Sequence, residues 1–224
     1  MDLRDRQAIT EIASSMSDGP LDALIHCAGI VSRGAVENMP VDNMLAQLDV
    51  NAIAPMLLTK FLAPALRKSK GCVVAVSSLA GLIGSPGNAV YSSSKFALEG
   101  FFAAAAYELA HVGIKTRVIV PMYAPTPIMA TASSYEHPPA GVYADFEIAT
   151  RARLDASVKD VDPSTVDLVA RVVASSALNP GDSWFDRVVV GGGEVLKLYG
   201  QLTPSVWFEH FRSTLQPWFR SGPE

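Results

Sequence analysis

Short apolar runs alternate with longer helical stretches along most of the chain. Four runs have the length and composition of buried strands: LDALIHCAG at 21–29, GCVVAVSS at 71–78, IKTRVIVP at 114–121 and DRVVVGGG at 186–193. The longer stretches predict helices at 41–69, 89–113 and 163–178. The first of these is expected to bend at Pro55 and Pro64. Residues 122–160 are rich in prolines and small residues and predict an irregular segment.

This alternation predicts an α/β fold with a doubly wound sheet. Helices between successive strands indicate right-handed βαβ units and a parallel sheet, and continuous apolar strands indicate helices on both faces. In such sheets, ligands bind beyond the carboxyl ends of the strands. The strand ends carry CAG at 27–29, SSLAG at 77–81 and PMYAPT at 121–126. We therefore expect the chemistry of the molecule at this edge of the sheet.

The start of the predicted helix at 89–113 pairs a phenol with an ammonium group. Tyr91 and Lys95 are four residues apart in AVYSSSKFALEG, so they lie on one helical face. A cation at this distance favours the phenolate, and we expect the pKa of Tyr91 to fall below its ordinary value of roughly 10. A tyrosine tuned in this way is a usable general acid or base. On spacing alone, an ordinary aromatic beside a solvated lysine explains the pair better; the position beside the strand ends favours the functional interpretation.

Composition and charge exclude several classes of function. The 224 residues are 49% hydrophobic and 18% charged, which fits one large domain with a buried core. A net charge of −4, with no cluster of lysine or arginine, argues against nucleic acid as a partner. The histidines show no metal-ligand spacing, and no apolar run reaches the length of about 18 residues of a membrane span. Cys27 and Cys72 are expected to be buried free thiols in a cytoplasmic protein.

Four motifs, in order along the chain, resemble the short-chain dehydrogenase/reductase family. YSSSK matches Tyr-x-x-x-Lys, and SSLAG places Ser78 thirteen residues before Tyr91. DVNAIAP places Asn51 in the middle of the long helix, and HCAG stands where the family has Asn-Asn-Ala-Gly. The resemblance covers essentially the whole chain and implies a single Rossmann-like domain over 1–224. It looks closest to the branch that acts on steroids and retinoids.

The resemblance implies a catalytic set of Asn51, Ser78, Tyr91 and Lys95. Tyr91 would exchange a proton with the substrate oxygen, which Ser78 would hydrogen-bond. Lys95 would hold the nicotinamide ribose, and Asn51 would hold a water linked to Lys95. The implied cofactor is NAD or NADP, bound by Asp2, Ala28, Gly29, Asn51, Tyr91, Lys95, Pro121, Met122 and Thr126. For Asn51, Ala28 and Gly29, purely structural roles in a helix and a strand-to-loop turn stay open.

The sequence departs from the family pattern in two places. Pro121-Met122 stands where the family has Pro-Gly, which adds a bulky side chain close to the expected nicotinamide. No Gly-x-x-x-Gly-x-Gly occurs, and MDLRDRQAI at 1–9 resembles the end of the family's third strand. About the first quarter of the usual domain, its first βαβ unit, is therefore missing from this sequence. We expect weak NAD(P) binding by the chain as written, and an unprotected sheet edge at 21–27.

Together these features predict an NAD(P)-dependent oxidoreductase that interconverts an apolar alcohol and its ketone or aldehyde. Because the phosphate-binding loop is missing, a catalytically impaired scaffold or binding protein is the alternative. Ser92–Lys95 also match the Ser-x-x-Lys of penicillin-recognising enzymes, but the accompanying Ser-Asp-Asn and Lys-Thr-Gly motifs are absent.

Apolar side chains also predict the substrate and the assembly state. An apolar substrate is indicated by the content of the 122–160 segment: Met122, Tyr123, Ile128, Met129, Tyr135, Tyr143 and Phe146. The helices at 41–69 and 89–111 carry more apolar surface than one sheet face covers, which predicts a homodimer or tetramer. The tail over 200–224, with VWFEHFRSTLQPWF, is expected to form a second apolar packing surface.

Overall fold

One parallel sheet of four strands carries the fold. In a computed structural model that describes residues 1–16, 18–129, 141–159 and 162–191, the strands are β1 (Ala23–His26), β2 (Cys72–Val76), β3 (Lys115–Pro121) and β4 (Phe185–Val190). They pair in the order β1-β2-β3-β4, all parallel. Strands β1, β2 and β3 each lie within a predicted apolar run, and β4 begins one residue before the run predicted at 186–193. The predicted doubly wound α/β fold is confirmed.

Within the described residues, six helices connect the strands or pack beside them. They are α1 (Arg6–Met16), α2 (Val41–Leu48), α3 (Ala54–Ser69), α4 (Ala89–His111), α5 (Ala144–Lys159) and α6 (Ser164–Leu178). Single 3₁₀ turns lie at Leu79–Gly81, Pro127–Met129 and Gly141–Tyr143. No helix within the described ranges is long and apolar enough to cross a bilayer.

Both faces of the sheet are covered, and β2 shows why its sequence is apolar throughout. Val73 and Ala75 point into a core that contains Leu66 of α3 and Phe102 of α4. Their neighbours Cys72 and Val74 point to the opposite face, where they pack against Val173 of α6. Because successive strand residues face opposite sides, a strand buried on both faces reads as a continuous apolar run.

Two predictions about secondary structure are wrong in detail. The segment 122–160 is not irregular throughout, because α5 occupies Ala144–Lys159. That stretch contains no proline or glycine, and Asp145 and Glu147 in its first turn favour a helix N-terminus. Glu147 is buried and accepts hydrogen bonds from the Ala35 backbone N–H (2.9 Å) and Asn38 Nδ2 (3.2 Å), which fastens α5 to the loop after β1.

The predicted helix over 41–69 is interrupted by a π-helical turn at Asp49–Ile53, between α2 and α3. The backbone N–H of Ala54 donates to the carbonyl of Asp49, five residues earlier, which is the spacing of a π-helix. Pro55 follows directly and has no N–H to continue an α-helical ladder. Pro64 lies inside α3. The interruption of the helix therefore precedes Pro55, and Asn51 sits within it.

Strand β1 forms one edge of the described sheet. Ile25 at its centre is 42% exposed, in agreement with the unprotected edge predicted at 21–27. Cys27, just beyond this edge strand, is exposed, whereas Cys72 in central strand β2 is buried; both thiols are free. The expectation that both cysteines are buried is therefore wrong for Cys27. The predictions for Tyr135 and for the tail over 200–224 lie outside the described residues, as does the side chain of Met129.

Candidate active site

The structure brings Ser78 and Tyr91 together at the carboxyl end of β2. Ser78 follows the strand and caps the 3₁₀ turn at Leu79–Gly81, where its Oγ accepts from the Ala80 N–H at 3.2 Å. Tyr91 lies in the first turn of α4, and its hydroxyl forms a hydrogen bond with the Ser78 side chain. Two hydroxyls on separate elements are thus joined at the edge of the sheet where ligands bind in this fold.

Lys95 lies one helical turn after Tyr91 and is 4% exposed. Its Nζ donates to the carbonyl of Val76 at 3.0 Å, which ties α4 to the last residue of β2. The same Nζ is 6.0 Å from the centroid of the Tyr91 ring. The spacing of Tyr91 and Lys95 therefore places the ammonium beneath the phenol, as the sequence indicates.

The electrostatic expectation for this pair is wrong. Burial raises the pKa of Tyr91 above its ordinary value, while the hydrogen bond from Ser78 and the charge of Arg33 lower it by less. Burial also lowers the pKa of Lys95 to about 8, against raising effects from Cys27 and Glu99. Desolvation penalises the charged form of each group, and here it is the largest effect on both pKa values.

Asn51 clamps the loop after β1 onto the start of α4. Its Oδ1 accepts from the Ile30 backbone N–H at 2.8 Å, and its Nδ2 donates to the Ile30 carbonyl at 2.8 Å. The same Nδ2 donates to Ser94 Oγ at 3.0 Å, and Ser94 Oγ donates in turn to the carbonyl of Tyr91 at 2.7 Å. Both amide hydrogens are thus used, and the side chain fixes the relative positions of three parts of the site.

The backbone carbonyl of Asn51 lacks a regular helical donor, whereas its side-chain amide is fully bonded. Asn51 lies in the π-helical turn, and the residue four positions later is Pro55, which cannot donate an N–H to the Asn51 carbonyl. The regular α-helical hydrogen bond to this carbonyl therefore cannot form. If Asn51 holds a water, this backbone oxygen is a better place for it than the engaged side-chain amide.

Gly29 provides the close approach in the centre of the site. A Cβ atom on Gly29 would lie 3.5 Å from Asn51 Oδ1, 3.7 Å from Lys95 Nζ and 3.8 Å from Ile128 Cδ1. Four parts of the site therefore meet beside Gly29: the loop after β1, Asn51, Lys95 and the turn at Pro127–Met129. Ala28, the preceding residue, is exposed.

The remaining predicted cofactor residues lie along neighbouring elements. Pro121 ends β3, and Met122 continues towards β4, with its N–H donating to the Val190 carbonyl at 3.1 Å. Thr126 is half-buried, and its N–H donates to the Ala124 carbonyl at 2.8 Å. The carboxylate of Asp2 binds Arg4, with 2.6 Å between Asp2 Oδ2 and Arg4 Nη2. For these four residues, contact with a cofactor stays a prediction.

Three residues at the site were missed by the sequence interpretation. Ser94 links Asn51 to α4 as described. Arg33 donates from Nε to Asn88 Oδ1 at 3.0 Å, beside the first residue of α4, and its charge acts on Tyr91. Glu99 lies buried one turn beyond Lys95. Glu99 follows Lys95 by the same four residues that separate Lys95 from Tyr91, so helical spacing also predicts that it lies on this face.

Comparison with known proteins gives the family. The model of the short chain dehydrogenase family matches residues 1–137. An uncharacterized oxidoreductase of Bacillus subtilis, YusZ, is 35% identical over 136 residues, which cover 60% of this chain and 49% of YusZ. Human 17-beta-hydroxysteroid dehydrogenase type 1 is 33% identical over 120 residues, 53% of this chain and 37% of that enzyme.

A solved structure agrees with the fold. A metagenomic short-chain oxidoreductase in complex with NADP superposes with a TM-score of 0.61 at 26% identity, covering 84% of this chain and 70% of the other. This chain spans about half the length, 49% and 45%, of the first two curated relatives it matches. From the family match over its first 137 residues, together with the fold and the arrangement of Ser78, Tyr91 and Lys95, the chain belongs to the short-chain dehydrogenase family.

Proposed function

We propose that the protein is an NAD(P)-dependent oxidoreductase that interconverts an alcohol and its carbonyl compound. The observation that carries this proposal is the convergence of Ser78, Tyr91 and Lys95: a hydroxyl pair joined by a hydrogen bond, above a buried ammonium group. These three groups supply a proton, a second hydrogen bond to the substrate oxygen, and a positive charge. Carbonyl reduction needs these contributions in addition to a hydride.

The residues of the chain handle the proton. In the direction of reduction, the substrate oxygen accepts hydrogen bonds from Ser78 Oγ and Tyr91 Oη, and Tyr91 transfers its proton to that oxygen as the carbonyl carbon gains a hydride. In the direction of oxidation, the Tyr91 phenolate takes the proton of the alcohol. The Lys95 cation stabilises the phenolate in both directions. A bound nicotinamide supplies or accepts the hydride.

The described residues fit the ribose end of a nicotinamide cofactor. Gly29 leaves space next to Asn51 and Lys95 that a side chain would fill, and Lys95 has hydrogen-bonding capacity beyond its bond to Val76. Tyr91, Lys95 and Gly29 would hold the nicotinamide ribose there. The pyrophosphate end has no comparable glycine motif in the sequence.

An apolar substrate is the finer part of the proposal. Met122, Tyr123 and Ile128 lie after β3, and Ile128 reaches the space at Gly29. Tyr143 forms a hydrogen bond with Glu37, so its hydroxyl is engaged away from a substrate. Aliphatic and aromatic groups around a few polar atoms are typical of sites for small apolar ligands. The two free thiols, Cys27 and Cys72, fit a reducing cytoplasmic location.

Replacement of Tyr91 by phenylalanine tests the reaction. Tyr91→Phe removes the hydroxyl alone, and we expect NAD(P)H-dependent reduction of apolar ketones to fall at least about a hundredfold. Tyr107→Phe is the matched control, because Tyr107 lies on the same helix and is 84% exposed. Equal activity in both variants would contradict the proposed role of Tyr91.

Cofactor titration tests the alternative of an impaired scaffold. NADH and NADPH are titrated into the purified chain, with binding followed by calorimetry and by the fluorescence of the reduced nicotinamide. A dissociation constant in the micromolar range would refute the expectation of weak binding and support the oxidoreductase. No binding of either nucleotide at millimolar concentration, with no turnover, would favour the scaffold.

A further inference from the structure

A buried carboxylate lies behind the proposed site and takes no part in the mechanism described above. Glu99 is 5% exposed, and its Oε2 accepts from both Arg187 Nε and Arg187 Nη2 at 2.9 Å. The two partners differ in environment: the Glu99 side chain is 6% exposed, whereas the Arg187 side chain is 39% exposed. The negative end of this ion pair is therefore inside the protein and the positive end reaches water.

The second oxygen of this carboxylate is not satisfied. Neither Glu99 Oε1 nor the buried Ser77 Oγ has a hydrogen-bond partner among the described residues. Both side chains border Gly81, where a Cβ atom would lie 2.8 Å from Ser77 Oγ and 3.1 Å from Glu99 Cγ. Burying a charged oxygen without a partner is unfavourable. Its field is also less compensated by local dipoles than that of a fully bonded carboxylate.

Lys95 is close to this uncompensated charge. Glu99 follows Lys95 by four residues on α4, which puts both side chains on one face of the helix. The Lys95 ammonium bonds to the carbonyl of Val76, the last residue of β2, and the next residue, Ser77, borders Gly81, as does Glu99. The other groups that act on Lys95 are Cys27 beyond β1 and Tyr91 on α4.

We propose that Glu99 is a positioning residue that keeps Lys95 protonated in its buried pocket, and that Arg187 sets how strongly it does so. The ammonium is taken out of water, which favours its neutral form, and the carboxylate one turn away opposes this effect. Arg187 neutralises part of the carboxylate charge from the solvent side. The catalytic consequence rests on the proposed function, since it requires that Lys95 act as a cation.

The two ends of the pair predict shifts of opposite sign, which a purely structural contact does not. The titration of Lys95 is followed by its ¹³Cε resonance in protein labelled with ¹³C-lysine, assigned by its loss in Lys95→Met. Glu99→Gln should move the titration midpoint of Lys95 down by at least about half a pH unit. Arg187→Gln should move it up, because the carboxylate then acts without its partner. The double variant should lie nearer to wild type than Glu99→Gln does.

Glu108→Gln is the control, since Glu108 is an exposed carboxylate on the same helix; it should leave the midpoint unchanged. Unchanged midpoints in both single variants, or downward shifts in both, would overturn the proposal. If Glu99→Gln does not fold, the upward shift in Arg187→Gln decides alone. The measurement needs neither cofactor nor turnover, so it stands if the proposed reaction fails. Where turnover is measurable, the alkaline limb of the reduction rate should move with the midpoint.

Discussion

The two halves of α4 bury different kinds of side chain against the same sheet. In the first half, the buried residues are Ser92, Ser94, Lys95, Leu98 and Glu99; in the second, they are Phe102, Ala105, Ala106 and Leu109. Four of the five buried residues in the first half are polar, and all four in the second half are apolar. One helix thus carries the candidate site at its start and a large part of the core at its end.

This difference separates the demands of function from those of folding. The polar half contains groups that are unfavourable to bury: a lysine with a lowered pKa, and two oxygens, Glu99 Oε1 and Ser92 Oγ, that have no hydrogen-bond partner in the described part of the chain. The apolar half packs Phe102 and Leu109 with strands β2 and β3 at almost no exposure. We infer that apolar burial in the second half stabilises the fold, and that the buried polar groups of the first half offset part of this stabilisation.

Lys95→Met should produce the largest effect, a loss of activity without a loss of stability at neutral pH. Removal of the ammonium eliminates a charge that stabilises the phenolate, and we expect reduction to fall by about a hundredfold to ten-thousandfold. The unfolding free energy should stay the same or rise, because a desolvated charge is replaced by an apolar chain. Turnover and urea denaturation of the same preparation check both parts. A strongly destabilised variant would contradict the proposed division of α4.

Phe102→Ala should give the reverse result. The ring is fully buried between α4 and the sheet, so its removal should lower the unfolding free energy by about 3–5 kcal/mol. Turnover per folded molecule should change little. Phe96→Ala is the control on the same helix, since Phe96 is 45% exposed, and it should cost about 1 kcal/mol or less. Equal destabilisation by both changes would show that burial of Phe102 is not the source of the effect.

The sequence predicts most of the apolar half and only part of the polar half. Strands such as β2 are visible as continuous apolar runs, and Gly113, with a φ of 84°, ends the region of α4 as expected. The positions of Tyr91 and Lys95 follow from helical spacing. The directions of their pKa shifts do not follow from spacing, because the burial of each group depends on β1, β2 and the loops around them, which lie far away in the chain.

Two local features also escaped the sequence interpretation. The helix α5 was hidden by the prolines that precede it in 122–160, although its own residues favour a helix. The π-helical turn at Asp49–Ile53 has no periodicity that distinguishes it from an α-helix over five residues. Its position beside Pro55 becomes meaningful only once Asn51 is seen bonded to Ile30 and Ser94.

Lys95, in the polar half of α4, should make both the stability and the activity of the protein depend on pH. Lys95 has a pKa of about 8 in the folded protein and an ordinary value of 10.5, so the unfolded chain binds the extra proton between these values. Stability from this group therefore rises with pH across that window, by up to about 3 kcal/mol. The rate of reduction should fall across the same window as the cation is lost.

Comparison with Lys95→Met isolates this effect. Cys72, whose pKa burial raises to about 11, lowers stability at alkaline pH and is present in both proteins. The difference in unfolding free energy between wild type and Lys95→Met should change between pH 8 and 10 in favour of wild type. A difference independent of pH would mean that Lys95 is not desolvated as described.

Exposed apolar side chains on α4 and α2 predict self-association. Tyr107 is 84% exposed and Phe96 45% exposed on α4, and Leu45 is 54% exposed on α2. If copies pair through this surface, Tyr107→Glu should weaken the dimer by about tenfold or more, since a charge enters an apolar contact. Sedimentation equilibrium measures the change, and Leu178→Glu, an exposed position on α6, is the control. A wild-type monomer at micromolar concentration would contradict the prediction.

Arg33→Met should give the smallest effect, and this effect should be limited to the reaction of Tyr91 in the polar half of α4. The guanidinium bonds to Asn88 beside the start of α4, and its charge lowers the pKa of Tyr91 against the larger effect of burial. Without this charge the pKa of Tyr91 rises further, so alcohol oxidation, which needs the phenolate, should slow by about threefold to tenfold near pH 8. Ketone reduction uses the protonated phenol and should change less. Arg33→Lys keeps the charge and should oxidise alcohol at close to the wild-type rate. Equal losses in both directions, or an equal loss in Arg33→Lys, would show that Arg33 holds the loop after β1 in place without acting on Tyr91 through its charge.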